Sequence, residues 1–589
     1  MKKTFLLSCL MLAAMPVMAA YTGHVYVDKN KNGVFDQSEK PLAGIKVSDG
    51  LNVVETAADG SFTLPGHERE RFIFITTPSG YKTFNRHYHK IEKKQSGYDF
   101  DLIPYSGRIR KDGSHRYIHI TDTEIFNTEN HADWVNNVHD YARNEQAAFI
   151  IHTGDICYEK GLKAHIKLMN TENMDCPVFY CIGNHDLVKG KYGEELFESI
   201  YGPVYYSFDA GNVHYVVTPM PGGDHAPGYT SDDVCRWLKN DLTHIRPGTP
   251  VVVFNHDLLT YEDTFIFKSK NAGSINLNEY NLKAWVYGHW HINYMKKQGD
   301  VYSVCTSSLD KGGIDHSTTA FRVMHVDSKG DFTSELRYTY LDKNICIASP
   351  AGVMASGVLP VAVNVYSSVS PVREVLYTCL ADGKPVLKNK RLLQSTDWSW
   401  NGELPLSHKY VGKELTLRVT ARFNNGEIAE AERNVICRTE QAVALFSAHC
   451  DNLSGNAKHS ARVSAPLNLP LQLAWTNNVG ANLYMTSPLI HKGKVIVASV
   501  DEDLKGAGHV YALNGKDGTI LWSCPVRNSI KNSIAVDSDI VFAQDAQGFL
   551  YAIDTETGKL CWEKQLPVNR LPALLDGLVA GEGVVYAVT

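Results

Sequence analysis

Along the middle of the chain, short runs that are apolar throughout alternate with stretches where apolar residues recur every three or four positions. The runs at 117–120, 148–151, 178–182 and 251–254 have the length and composition of buried strands. Trp134, Val138 and Tyr141 share one face of a predicted helix, and Val234, Leu238 and Leu242 share another after Ser231. The runs at 202–209 and 211–217 read as a hairpin. Mixed strands with crossover helices predict two sheets covered by helices over residues 107–344.

Outside this region the period falls to two. Residues 21–106 hold short runs at 23–27, 44–47, 60–64 and 71–77, and residues 345–440 hold alternating runs at 361–365 and 415–421; each set predicts a β-sandwich. From 470 to 589 the chain repeats itself. Val510-Tyr511-Ala512-Leu513-Asn514, with Asp517-Gly518 and Trp522, returns 40 residues later as Leu550-Tyr551-Ala552-Ile553-Asp554 with Thr557-Gly558 and Trp562, and Val585-Tyr586-Ala587 opens a third copy. Such a period predicts propeller blades, whose sheets cannot bury their faces singly. A closed propeller needs roughly four to eight blades, so this is read as a partial propeller, and the natural product is expected to continue past Thr589. Residues 441–469 read as a linker.

Lys2-Lys3, an apolar run at 5–17 and the small residues before Tyr21 read as a cleaved signal peptide over residues 1–20, too short to span a bilayer. A periplasmic or secreted, not membrane-spanning, protein is expected. Its 58 Lys and Arg against 64 Asp and Glu give no electrostatic footprint for nucleic acid. Loss of Cys9 with the signal leaves an odd number of scattered cysteines. Cys176 and Cys181 would lie about 16 Å apart on an extended strand, beyond the roughly 7 Å a disulfide spans, so buried free thiols are expected.

Five polar phrases punctuate the central region: I-T-D-T-E (120–124), H-T-G-D-I-C-Y (152–158), I-G-N-H-D (182–186), V-F-N-H-D (253–257) and G-H-W-H (288–291). Four of them follow the apolar runs, at strand C-terminal ends, where α/β sheets build their sites. Asp122, Asp155, Asn184, His256, His289 and His291 offer mixed oxygen and nitrogen donors. Such a set suits Zn, Mn or Fe better than Ca or Mg, and the lack of thiolates argues against a structural zinc.

In order and spacing these phrases resemble the calcineurin-like metallophosphoesterases, whose pattern is D-x-H, G-D, G-N-H-[DE], a lone His and G-H-x-H. The resemblance covers about 116–326. It implies a four-layer αββα sandwich, two divalent or trivalent transition metals, and hydrolysis of a small-molecule or lipid phosphoester by a hydroxide activated between them. It further implies Asp155 as the bridging ligand, Asp122 and His291 on the first metal, and Asn184, His256 and His289 on the second. Glu124 departs from the pattern, standing where the family has His. Either Glu124 binds the first metal, or Tyr158 does, since G-D-I-C-Y also matches the G-D-x-x-Y phrase of purple acid phosphatases; otherwise both merely flank the site. His185, beside Asn184, is free to approach a leaving-group oxygen as an acid, with Asp186 placed to hold its imidazolium. His119, His152, His214, His225 and His244 read as non-catalytic, with substrate contact left open for His152 and His225.

The flanking modules add less chemistry. Residues 58–62 and 77–81 resemble carboxypeptidase-regulatory-like modules that precede some bacterial metallophosphoesterases. Within that module Asp28, Asn30, Asn32, Asp36 and Glu39, with the Val34 carbonyl, stand at the offsets of a calcium-binding loop; a solvated turn is the alternative. The A-x-D-x-x-T-G-x-x-x-W form (552–562) resembles quinoprotein-like propeller repeats, and its Trp is read as a wedge between blades rather than a quinone ligand. Gly312-Gly-Ile-Asp315 resembles a segment of the same phosphoesterase subfamily, with no assignable role. The expected architecture is multidomain: an αββα sandwich flanked by β-sandwiches and a partial β-propeller. The competing class is a non-catalytic exported binding or surface protein on a phosphoesterase scaffold.

Overall fold

Apolar strands with two buried faces need cover on both sides, and the central region supplies it by packing two sheets against each other. The computed structural model describes residues 20–36, 38–439, 449–462, 473–484, 486–567 and 577–588; residues 1–19 of the expected signal peptide and much of the expected linker lie outside the described residues. One sheet runs in the order Val178–Tyr180, Ile150–His152, His115–Ile120, Ala320–Val326, Phe332–Tyr338, its first three strands parallel. The other runs Tyr206–Ala210, Val213–Val217, Val251–Phe254, Leu282–Tyr287, Val301–Cys305, Tyr294–Gln298. Aromatic rings fill the space between them. Tyr117 stacks on Phe149 at 4.7 Å and Phe179 on Phe208 at 3.8 Å, in one core with Tyr215 and Phe254.

Helices close the outer faces. Ala132–Asn144 buries Trp134, Val138 and Tyr141 against Ile118, Ile120 and Ile150 of the first sheet. Ser231–Thr243 packs Trp237 and Leu238 against the second, and its N-cap Thr230 accepts the Asp233 N–H at 3.2 Å. The result is the four-layer αββα sandwich. Strand register then fixes where the polar phrases emerge: Ile120 lies opposite His152, which lies opposite Tyr180, and Phe254 lies opposite Val286. The strands of each sheet end level, so the five phrases share one rim.

The N-terminal module is a two-sheet β unit with its own core of Val25, Phe62, Leu64, Ile73, Phe100 and Leu102. It docks through Arg71, whose guanidinium lies 2.7 Å from Glu194 and 2.6 Å from Glu198. In its loop Asp28 accepts the backbone N–H groups of Lys31 and Gly33, and Glu39 accepts those of Lys29 and Asp36. The amides of Asn30 and Asn32 both reach Asp36, while the Val34 side chain is exposed. A second β-sandwich follows the central domain, built on Val361, Val363, Leu415, Leu417 and Val419.

Each sequence repeat is one four-stranded antiparallel sheet, Leu489–His491 to Ile520–Pro525 and Ala535–Asp537 to Leu560–Gln565. Ala512 pairs with Trp522 and Ala552 with Trp562, with the same register shift after each. Trp522 reaches across to the next sheet, donating Nε1–H to the Thr555 carbonyl at 3.0 Å. All described cysteines are free, among them Cys176 and Cys181.

Candidate metal centre

Tight loops at the rim bring the phrases together. Asp122, Glu124, Asp155, His289 and His291 all have φ between 43° and 63°, a left-handed conformation costing non-glycine residues on the order of 1–3 kcal/mol each. Glycine supplies the close approach. A Cβ on Gly183 would lie 2.3 Å from the Asp155 carboxylate, and one on Gly288 would lie 1.9 Å from Thr121 Oγ1 and 2.5 Å from Asp122 Oδ2.

Each aspartate spends one oxygen on the protein. Asp122 Oδ2 accepts from Thr121 Oγ1 at 2.7 Å and the His289 N–H at 3.0 Å, and Asp155 Oδ1 accepts the His185 N–H at 3.0 Å. The other oxygens face imidazoles. Asp122 Oδ1 lies 3.2 Å from His291 Nε2 and 3.9 Å from His256 Nε2, and Asp155 Oδ2 lies 3.1 Å from His256 Nε2. The ligand atoms of Asp155, His256 and His289 lie within 4.8 Å of one another. His256 donates Nδ1–H to the Thr153 carbonyl at 2.7 Å, which turns its Nε2 lone pair inward.

Asp122 Oδ1, Asn184 Oδ1 and His256 Nε2 are buried, and none makes a well-aligned hydrogen bond within the protein. Asp155, His256 and His289, with Asp122 and His291 beside them, gather carboxylate and imidazole donors of the kind that fit transition-metal cations. The electrostatics agree. Burial alone would lower the His256 pKa, but the Asp155 and Asp122 carboxylates outweigh it and raise it to about 10; that excess negative charge suits positive ions.

The remaining sequence expectations fall out differently. His185 lies at the rim, but its Nδ1 pairs with Asp224 Oδ2 at 2.8 Å, not with Asp186. Asp186 is fully buried and accepts the backbone N–H groups of Asp155, Cys157 and Gly183, each at 2.9 Å. The expectation that Asp186 holds the His185 imidazolium is therefore corrected. Asn184–Asp186 forms a 3₁₀ turn, whose three residues per turn point adjacent side chains apart. Burial, then the Asp155 charge, pushes the Asp186 carboxyl up to about 7. Glu124 Oε1 stands 3.6 Å from His291 Nε2, and its Oε2 pairs with Lys311 Nζ at 2.6 Å. Tyr158 is exposed, its ring 5.3 Å from that of His185 and stacked on Phe126. Of the two alternatives, Glu124 is the one beside the Asp122–His291 pair.

Sequence reasoning missed Asp224 and Lys311. The only signals were the Gly- and Pro-rich loop at 221–228 around the first and the 312–315 phrase beside the second. Among the other histidines, His119 bridges Thr153 and Thr306, His152 pairs with Thr123, and His244 meets Glu55.

Residues 115–293 match the family model of the calcineurin-like phosphoesterases. Residues 29–104 match the model for the N terminal of calcineurin-like phosphoesterase, and residues 472–589 match that of the outer membrane protein assembly factor BamB. Purple acid phosphatase 13 of Arabidopsis thaliana is 26% identical over 215 residues, 34% of this chain and 36% of that protein, so the chain spans about a third of its curated relative's length. Among solved structures, a conserved uncharacterized protein from Streptococcus pneumoniae TIGR4, described as a predicted phosphoesterase, is 12% identical, covering 38% of this chain and 98% of its own at a TM-score of 0.19. BamB from Moraxella catarrhalis is 14% identical, covering 45% and 73% at a TM-score of 0.14. The phosphoesterase match and the donor cluster support metal-dependent phosphoester hydrolysis in general. No helix among the described residues is long and apolar enough to cross a membrane.

Proposed function

We propose that the protein is an exported phosphoester hydrolase whose phosphoesterase domain works with two transition-metal ions. The observation that carries this reading is the meeting of Asp155, His256 and His289, whose ligand atoms lie within 4.8 Å of one another, with Asp122 Oδ1 3.2 Å from His291 Nε2 and 3.9 Å from His256 Nε2. Asp122, His291 and Glu124 would hold the first ion, Asn184, His256 and His289 the second, and Asp155 would face both. When bound, such ions neutralise phosphoryl charge and lower the pKa of a water toward neutrality.

The chain's own groups do the rest. His185, half-exposed and held by Asp224, donates a proton to the leaving-group oxygen. Lys311, kept at the rim by Glu124, meets phosphoryl oxygens with an ammonium. The same reading gives Ca²⁺ to Asp28, Asn30, Asn32, the Val34 carbonyl, Asp36 and Glu39 in the N-terminal module.

The test is a panel of aryl mono- and diesters offered to metal-free protein reloaded with Mn²⁺, Zn²⁺ or Fe. Metal-dependent turnover of at least one ester is expected. Two bound ions with no turnover across the panel would overturn the hydrolase reading in favour of a binding protein on the same scaffold.

A further inference from the structure

A buried lysine from the repeats reaches the loop that carries His289 and His291. Lys531 lies between the two repeat sheets, after Ile520–Pro525 and before Ala535–Asp537, and its side chain is buried. Its ammonium donates to the Asn293 carbonyl at 2.6 Å, Asp315 Oδ2 at 2.6 Å and Glu502 Oε1 at 2.9 Å. A lysine has three donors, and here each has an acceptor.

Two of those acceptors belong to the phosphoesterase domain and bracket the histidine loop. Asn293 follows His291 by two residues. Ile314, next to Asp315, donates its N–H to the His291 carbonyl at 2.9 Å. Asp315 is itself fixed by Ser317, whose N–H and Oγ reach Asp315 Oδ1 at 3.1 and 2.6 Å. Around this point Asn528 donates to the Met295 carbonyl at 3.0 Å, and the buried Arg322 pairs with Asp503 at 2.6 Å. His289 and His291 stand at φ 63° and 51°, a conformation that persists only where the surroundings over-determine it.

We infer that the repeat segment is a working part of the metal centre: Lys531 is a positioning residue that clamps the loop at 288–293 through Asn293 and Asp315. The inference rests on His289 and His291 being metal ligands, and it gives the Gly312-Gly-Ile-Asp315 phrase a role as the clamp's anchor. Loss of an outer partner of a metal ligand weakens metal binding about 10- to 100-fold.

The test compares wild type with Lys531→Met as full-length, metal-free proteins, titrated with Mn²⁺ by calorimetry and followed by amide exchange before metal is added. The clamp predicts that Mn²⁺ binding at the His291 side weakens about 10- to 100-fold and that exchange at 291–293 accelerates, while the strands at 213–217 keep their protection. Unchanged affinity and exchange overturn it. Lys531→Met strands two buried carboxylates, so if it fails to fold the comparison passes to Lys531→Arg, whose planar guanidinium keeps the charge but not the three-way geometry; wild-type affinity there overturns the clamp. An inactive wild type that binds two Mn²⁺ ions would sink the hydrolase reading and leave the clamp standing. A wild type that binds none overturns both.

Discussion

His185 Nδ1 lies 2.8 Å from Asp224 Oδ2, a carboxylate 39 positions further along the chain. Burial opposes charge on the ring, but Asp224 and then Asp155 outweigh it and raise the His185 pKa. The pair leaves Nε2 to carry the proton toward a leaving group. Replacing His185 with Ala should lower kcat about 10²- to 10⁴-fold with metal content unchanged by elemental analysis. Asp224→Asn should give a smaller loss, roughly 10-fold, and Asp186→Asn should instead impair folding, since it disturbs three backbone contacts. Full activity in His185→Ala rejects the acid role.

Glu124 and Tyr158 can be separated by metal binding. With Glu124 Oε1 3.6 Å from His291 Nε2, Glu124→Gln should weaken Mn²⁺ affinity about tenfold or more. Tyr158→Phe should leave affinity unchanged, and the iron-loaded protein should show no tyrosinate charge-transfer colour. A visible band lost in Tyr158→Phe would reverse the assignment.

His214 makes part of the central domain's stability depend on pH. Its two nitrogens lie 2.7 Å from Asp209 and 2.8 Å from Asp241. Burial opposes the charged ring, but Asp241 and Asp209 more than compensate and raise its pKa to about 9. A folded-state pKa above the unfolded value of about 6.5 stabilises fully below pH 6.5, and this contribution fades as pH rises through 9. Its size is on the order of 3 kcal/mol. Urea denaturation followed by amide exchange in Val213–Val217 should show wild type and His214→Gln differing most near pH 6 and converging above pH 9. A gap that widens with pH would contradict the pairing.

Calcium should act far from the metal centre. In the loop from Asp28 to Glu39 backbone N–H groups hold the Asp28 and Glu39 carboxylates, whereas the Asn30 and Asn32 amides hold Asp36 and would yield it to a cation. At a hundredfold excess over Kd the gain is about 2.7 kcal/mol. Amide exchange at 28–39 in the full-length protein should slow with Ca²⁺ and return with chelator. Equal exchange in both removes calcium and leaves a solvated turn.

Much of the fold was legible because its signals are local. The runs at 117–120 and 251–254 are strands, those at 148–151 and 178–182 hold the shorter strands Ile150–His152 and Val178–Tyr180, and Trp134, Val138 and Tyr141 do share a buried helix face. The repeat register also needed only the chain, since Trp522 and Trp562 recur at equivalent pairing positions. What escaped depends on tertiary approach. Nothing around Asp224 marks it as the partner of His185, and chain proximity favoured Asp186 until the 3₁₀ turn rotated it away. Lys531 looks like any surface lysine until 238 residues of separation from Asn293 are folded out.

The Arg322–Asp503 pair bears on how this enzyme-like domain should be produced. Arg322 is fully buried, its guanidinium 2.6 Å from a carboxylate supplied by the first repeat. An excised fragment ending before the repeats would leave that cation with Thr306, Ser334 and the Cys305 carbonyl but without its carboxylate, and would uncover the surface that Leu504 and Ala546 pack against. Expression of the phosphoesterase-like portion by itself should therefore yield aggregates, whereas a product retaining both blades should purify as a well-behaved species.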